Sequence, residues 1–164
     1  MKIEQIYTGC LAQGAYYITS GGEAAIVDPL RETAPYLERL ERDNVSLKYI
    51  FETHFHADFV SGHLDLHQQT GAEIIYGPNA VADFPHTSAT DGQEFTLGKV
   101  KIKVLHTPGH TMESSCYLLK DEKTLGHNII GLRQLKALFL HEENRKIDKL
   151  ILQQFDAQKK PIKN

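Results

Sequence analysis

The chain has 164 residues, of which 41% are hydrophobic and 24% charged, and these are ordinary values for one globular domain with its own core. A net charge of −3 gives no basic surface, so the composition argues against nucleic acid or an anionic membrane as a partner. No stretch approaches the about 18 consecutive apolar residues of a membrane span, and the first residues lack the apolar run of a secretory signal. We therefore expect a cytoplasmic protein.

Strands are predicted wherever a short run rich in β-branched, aromatic or aliphatic residues is bounded by glycine or other turn residues. These predicted strands are residues 3–7, 15–19, 24–27, 47–51, 73–76, 100–105 and 115–119. The strand at residues 47–51 leads directly into a cluster of histidines.

Two helices are predicted among these strands. The first covers residues 33–43, where apolar residues recur at helical spacing. The second covers residues 62–70, with Ser61 as its N-terminal cap and Gly71 as its left-handed stop. Residues 78–92 are interpreted as a loop. Strands that alternate with helices indicate an α/β layered fold.

The pattern changes at about Thr124, where the strand signals stop. We divide the chain there, into a domain at residues 1–123 and a helical tail at residues 124–164. Two apolar stripes at helical spacing support the tail helices: Leu132, Leu135, Leu138 and Phe139, then Ile147, Leu150, Ile151 and Phe155. We expect these stripes to cover one face of the sheet or to pair with a second copy of the chain in a homo-oligomer.

The central chemical signal is the segment T-H-F-H-A-D at residues 53–58, between a predicted strand and a predicted helix. Two histidines spaced two residues apart at a strand end can point to the same side and bind one metal ion, and imidazole suits Zn and Fe. His110 follows another strand on a tight Pro-Gly turn, which can bring a third imidazole to the same sheet edge. We expect His54, His56 and His110 to be metal ligands. Asp58 is the candidate catalytic residue, because it can orient a water at the metal or bind a second metal.

The other histidines are expected to lie on the surface or behind the ligands. They are His63, His67, His86, His106, His127 and His141. Two cysteines, Cys10 and Cys116, are too few for a disulfide framework and are interpreted as small buried residues.

These motifs resemble the metallo-β-lactamase superfamily, whose pattern is H-x-H-x-D-H followed by a distant histidine. The closer resemblance is to its persulfide dioxygenase branch, which includes rhodanese-fused bacterial members. It is carried by C-L-A-Q at residues 10–13, E-T-H-F-H-A-D-F-V-S-G-H at residues 52–63 and H-T-P-G-H-T-M-E-S-S at residues 106–115. The resemblance extends to about residue 123 and implies an αββα sandwich, truncated to roughly its first half, with residues 1–123 as its metal-binding domain.

The resemblance also implies a chemistry. A persulfide dioxygenase uses iron and O₂ to convert a small thiol substrate such as glutathione persulfide to sulfite, so one Fe(II) ion is favoured and Zn(II) is the alternative. Glyoxalase II, a thioester metallo-hydrolase, is the nearby alternative, in which Asp58 would orient a water activated by the metal. A third alternative is a metal-binding relative without catalytic activity. Asp28 is interpreted as a residue beneath the metal loop that supports the ligands, or as a turn cap.

Two departures from the family pattern matter for the site. The dinuclear members have a histidine directly after the aspartate, as a ligand of the second metal, and this chain has Phe59 there. Persulfide dioxygenases take their iron ligands from the first histidine, the later histidine and an aspartate in a T-G-D turn, which map onto His54, His110 and no residue of the expected segment 129–133. The candidates that could substitute for this aspartate are Asp58, Glu122 and Asp148.

Overall fold

A computed structural model of the chain describes residues 1–9, 13–121 and 127–130. Its elements in chain order are β1 (Lys2–Thr8), β2 (Gln13–Ser20), β3 (Glu23–Val27), α1 (Ala34–Asp43), β4 (Ser46–Phe51), α2 (His63–Thr70), β5 (Glu73–Tyr76), β6 (Thr87–Ser88), β7 (Glu94–Leu97), β8 (Val100–His106), β9 (Ser115–Asp121) and β10 (His127–Ile130). Both apolar stripes predicted for the tail lie outside the described residues. Neither described helix is long and apolar enough to cross a membrane.

The strands form two sheets. The larger one has the order β1-β2-β3-β4-β5-β6, with antiparallel pairs from β1 to β3 and parallel pairs from β3 to β6. Helix α1 connects β3 to β4 and α2 connects β4 to β5, as parallel neighbours require a crossover. The smaller sheet is antiparallel, with the order β10-β9-β8-β7.

Both faces of the larger sheet are buried. Ala25, Val27 and Phe51 point toward the smaller sheet and pack with its side chains in one core cluster. The alternate residues of the same strands, such as Ile26 and Ile50, pack against the two helices in a second cluster. Strand segments that are buried on both faces are mostly apolar, which explains the apolar runs at residues 24–27 of β3 and 49–51 of β4. The described residues thus form three layers, helices on sheet on sheet.

Aromatic rings hold the two sheets together close to the end of β4. The ring of Phe51 lies 4.7 Å from that of Tyr117 and 5.5 Å from that of Phe95, both on the smaller sheet. Phe51 and Tyr117 have no exposed surface, and Phe95 is 8% exposed. This cluster fixes the separation of the sheets directly beneath the histidine segment.

Both predicted helices and all the predicted strands are present, with ends that differ by one or two residues. Helix α2 begins at His63 and its N-cap is Gly62 rather than Ser61. The Ser61 hydroxyl still accepts a hydrogen bond from the backbone N–H of His63, at 3.3 Å. Gly71 ends the helix with a φ of 75°, the left-handed conformation that was expected of it.

The strand pattern was expected to stop at about Thr124, but residues 127–130 form strand β10. Strand β10 pairs with β9 in an antiparallel ladder, in which Ile130 lies opposite Tyr117 and is buried. Strand β7 was not predicted, and β6 lies within the segment that was predicted to be a loop. These strands are short and partly polar, so they depend on pairing with distant segments more than on their own residue preferences.

Replacement of Phe51 by alanine tests the role of the aromatic cluster. We expect Phe51→Ala to lower the free energy of unfolding by about 3–5 kcal/mol, because it opens a cavity between two sheets that cannot easily close. Urea denaturation followed by circular dichroism measures this change. Val81→Ala is the control, because Val81 is 86% exposed and its truncation removes almost no buried contact. Equal stability of the two variants would contradict the assignment of the cluster to the core.

Candidate metal centre

The histidine segment begins where two parallel strands of the larger sheet end. Asp28 follows β3 and Glu52 follows β4, so both side chains lie at the same sheet edge. The ladder extends to both residues, because the Asp28 N–H donates to the carbonyl of Phe51 and the Glu52 N–H donates to the carbonyl of Ile75, each at 2.9 Å. The start of the histidine segment is therefore held by the sheet.

The smaller sheet brings the third histidine to this edge. His106 at the end of β8 pairs with Ser115 at the start of β9, so the intervening loop with His110 is a closed turn at one end of the sheet. The N–H of Ser115 donates to the carbonyl of Thr53 at 2.8 Å and thereby ties the two sheets together. The turn and the histidine segment consequently face each other.

Three imidazole rings come together here. The ring centroid of His54 lies 4.2 Å from that of His56 and 4.8 Å from that of His110. His54 is 7% exposed, whereas His110 is exposed, so the group reaches from the interior to the surface. The structure thus assembles the three histidines singled out in the sequence, and their role as ligands is a prediction considered below.

Asp28 organises the histidine segment from beneath. Its Oδ1 accepts a hydrogen bond from the N–H of Thr53 and its Oδ2 accepts one from the Thr53 hydroxyl, both at 2.7 Å. His56 Nε2 lies 3.1 Å from the same Oδ1. The φ of Asp28 is +50°, a left-handed conformation that is uncommon for residues other than glycine and asparagine. These contacts place Asp28 against the start of the histidine segment, and a role in supporting metal ligands stays a prediction.

Glu52 is a site residue to which the sequence analysis gave no role. Its side chain has no exposed surface, and its Oε2 lies 3.3 Å from His56 Nε2. The hydroxyl of Tyr117, on the smaller sheet, donates to the Glu52 carbonyl at 2.6 Å. The signal in the sequence was a carboxylate directly after an apolar strand, where a buried charge needs a nearby partner.

The two carboxylates change the proton affinity of His56. Burial alone would lower the pKa of His56, but its contacts with Asp28 and Glu52 outweigh burial and raise the pKa to about 10. Burial, followed by the charge of His56, lowers the pKa of His54 to about 4. The neighbouring rings therefore differ in charge at neutral pH in the metal-free protein.

The residues after His56 differ in exposure. Phe59 packs on the ring of His56, with centroids 4.2 Å apart and planes inclined by 32°. Asp58 is exposed and points away from the interior, so it is accessible to water and to a substrate. Glu113 accepts a hydrogen bond from the backbone N–H of Phe55 at 3.0 Å and holds the segment from the side of the His110 turn.

Among the described residues, Asp28, Glu52 and His56 form the group of possible ligands whose atoms all lie within 4.8 Å of one another. The three histidines are grouped by their rings, through His54, and share only His56 with this set. Asp28 is already engaged, because each of its oxygens accepts a hydrogen bond from Thr53. Metal binding by the three histidines therefore stays a prediction.

The model of the metallo-beta-lactamase superfamily matches residues 8–125. The chain belongs to that superfamily. A hydroxyacylglutathione hydrolase of Rhizobium etli is 41% identical over 108 residues, which cover 65% of this chain and 41% of the relative. The hydroxyacylglutathione hydrolase of Brucella ovis is 44% identical over 89 residues, which cover 52% of this chain and 34% of the relative. The chain thus spans about two fifths or less of these curated relatives.

Solved structures agree with this assignment. A metallo-beta-lactamase from Staphylococcus aureus superposes with a TM-score of 0.71 at 32% identity, over 80% of this chain and 42% of the other. ETHE1 from Myxococcus xanthus superposes with a TM-score of 0.68 at 29% identity, over 73% of this chain and 54% of the other. This metallo-β-lactamase-superfamily chain therefore shares its fold with about half of each structure.

The raised pKa of His56 predicts a pH dependence of stability in the metal-free protein. The folded state holds the His56 proton more tightly than the unfolded chain, whose histidine has a pKa of about 6.5. The stabilisation is complete below about pH 6.5 and is lost as the pH rises toward 10. His56→Gln cannot gain this proton, so the difference in unfolding free energy between the two proteins should shrink over that range. Urea titrations with a chelator present measure it, and a difference independent of pH would contradict the charged state of His56.

Proposed function

We propose that this chain binds one metal ion through His54, His56 and His110 and acts on a small glutathione-derived thiol, as a mononuclear enzyme of persulfide dioxygenase type. The observation that carries the proposal is the contact of Phe59 with His56. In the dinuclear members that the sequence resembles, a histidine stands at that position and binds the second metal. A phenyl ring has no ligand atom, and here it packs on the remaining imidazole.

Hydrogen bonds to the rings support the choice of ligand atoms. The Nδ1 of His54 lies 2.9 Å from the Thr53 hydroxyl, and the Nε2 of His56 faces Asp28 and Glu52. Ligation would then use the opposite nitrogen of each ring, Nε2 of His54 and Nδ1 of His56. Metal-binding histidines ordinarily have such a partner on the second nitrogen, because it fixes the tautomer and the ring orientation.

The exposure of the site suits a small soluble substrate. The buried side, with His54 and the carboxylates, excludes water, whereas His110 and Asp58 lie at the surface. Bound Fe(II) would supply the activation of O₂ that the oxidation of a persulfide to sulfite requires. Asp58 would accept or orient a proton at the open side, where a substrate approaches. Glutathione is the thiol carrier we favour, since the named curated relatives act on a glutathione thioester.

A thioester hydrolase of glyoxalase II type is the second candidate, with Zn(II) as its metal. The identity of 41% to a hydroxyacylglutathione hydrolase favours it. Phe59 argues against it, because the hydrolases with two metals use the missing histidine. The aspartate ligand of persulfide dioxygenases has no counterpart at the described residues 129 and 130. A chain that binds metal without turnover is therefore the third outcome of the tests below.

The metal content separates a mononuclear from a dinuclear site. We expect at most one equivalent of iron or zinc per chain, measured by plasma mass spectrometry after dialysis, because Phe59 removes a ligand of the second metal. His54→Ala should abolish binding, since two imidazoles alone hold a divalent ion weakly. His67→Ala is the control, because His67 bonds to the Ala72 carbonyl on helix α2, away from the three rings. Two tightly bound zinc ions per chain would refute the mononuclear site.

The reaction separates the two enzyme classes. Iron-loaded protein should consume O₂ in the presence of glutathione persulfide and form sulfite, and it should hydrolyse S-lactoylglutathione only slowly. An oxygen electrode and a thioester absorbance assay measure the two activities. Efficient thioester hydrolysis by the zinc-loaded protein would favour the glyoxalase II type instead. A metal-loaded chain that is inactive in both assays would support the third alternative.

A further inference from the structure

We infer that Glu52 is a positioning residue for the metal centre, which acts through His56 and holds both ends of the histidine loop. The inference rests on the proposed function, because it assumes that His56 ligates a metal. In the proposed arrangement the three histidines are the ligands and Glu52 is not, although its carboxylate lies within 4.8 Å of possible ligand atoms of Asp28 and His56. Its side chain lies behind His56, on the side facing the helix α2.

The burial of Glu52 requires an explanation, because an unpaired carboxylate is costly to remove from water. The side chain is completely buried, and its Oε2 accepts no hydrogen bond from another group among the described residues. Its nearest ionic neighbour is His56, whose Nε2 lies 3.3 Å away. The carboxylate is therefore placed to compensate the imidazole, and the imidazole to compensate the carboxylate.

Asp28 alone does not replace this contact. Its Oδ1 is shared between the Thr53 N–H and His56, and its Oδ2 binds the Thr53 hydroxyl. Glu52 adds a second carboxylate oxygen to the same His56 nitrogen. The contact with Asp28 Oδ1 and the charge of Glu52 on the same side favour a hydrogen on Nε2 and restrict rotation of the ring. The Nδ1 lone pair is then left for the metal, in a fixed direction.

The other oxygen of Glu52 reaches the far end of the loop. Its Oε1 accepts a hydrogen bond from the Ser61 hydroxyl at 2.5 Å and lies 3.5 Å from Nδ1 of His63, at the first turn of α2. The Ser61 segment is also held at the strand side of the site, because the N–H of Gly62 donates to the Pro29 carbonyl at 2.9 Å and Ser61 Oγ lies 3.1 Å from the same oxygen. One carboxylate therefore contacts the loop at His56 and again at Ser61 and His63 beyond it, which limits the freedom of the segment between them.

The test compares Glu52→Gln with Glu23→Gln in the full chain. Glutamine keeps the size of the side chain but replaces one acceptor oxygen with an amide. Glu23 pairs with Lys48 and with the Gly98 N–H, distant from the histidines, so its replacement controls for the loss of a structural carboxylate. Zinc titration calorimetry should show affinity lowered about tenfold to a hundredfold in E52Q, the usual effect of removing a partner behind a ligand, with unchanged affinity in E23Q.

Two further measurements separate positioning from a merely structural role. In the cobalt-loaded protein the visible absorption bands should shift in E52Q, because the direction of His56 changes, and they should stay constant in E23Q. In the metal-free wild-type chain, ¹H–¹⁵N spectra at fixed pH should show a protected hydrogen on His56 Nε2 that exchanges faster in E52Q. Wild-type affinity, absorption and exchange in E52Q would overturn the inference.

Failure of the proposed function gives a different result. If the wild-type chain binds no zinc or cobalt, the proposed function is wrong, and the exchange of the His56 hydrogen alone decides whether Glu52 positions the ring. If E52Q does not fold, the wild-type spectra still decide, because an unprotected Nε2 hydrogen in His56 refutes the contact. Two zinc ions in the wild type, one of them lost in E52Q, would make Glu52 a ligand and overturn its positioning role.

Discussion

The contact of two buried carboxylates with one imidazole is the constraint on which the rest of this site depends. Asp28 and Glu52 end neighbouring parallel strands, where the sheet holds their backbones and no water reaches Glu52. Buried charges persist only where partners are fixed in place, and His56, Thr53 and Ser61 supply them. The histidine loop therefore adopts a conformation in which these partners compensate the two buried carboxylates.

This constraint connects stability with chemistry. The aromatic cluster around Phe51 sets the separation of the sheets, and Tyr117 in that cluster also bonds to the Glu52 carbonyl. A substitution that moves Tyr117 would therefore affect Glu52 through this hydrogen bond. The charge that stabilises the metal-free fold resides on His56, and the same residue is a proposed ligand. A metal ion would compete with a proton for the nitrogen of His56 that does not face the two carboxylates.

The relatives share a scaffold and differ in the residues that surround it. Hydroxyacylglutathione hydrolases match less than half of their length to this chain. Within the shared part, Phe59 packs on the ring of His56, and the proposal of a single metal ion depends on this residue. The reaction class depends on such single positions more than on the fold, since one scaffold supports several chemistries.

The fold class, both helices and most strands could be predicted from the sequence, because periodicity and a stop glycine are local signals. The three histidines could be singled out as a group in the same way, from the spacing of possible ligands. Only the tertiary structure decided that Glu52 lies beneath His56 and that β7 and β10 complete the smaller sheet. A single glutamate after an apolar strand looks like any other charged residue until its neighbours are known. Its partner His56, four residues away, reaches it only because the loop turns back over the sheet edge, and β10 is a strand only because β9 lies beside it.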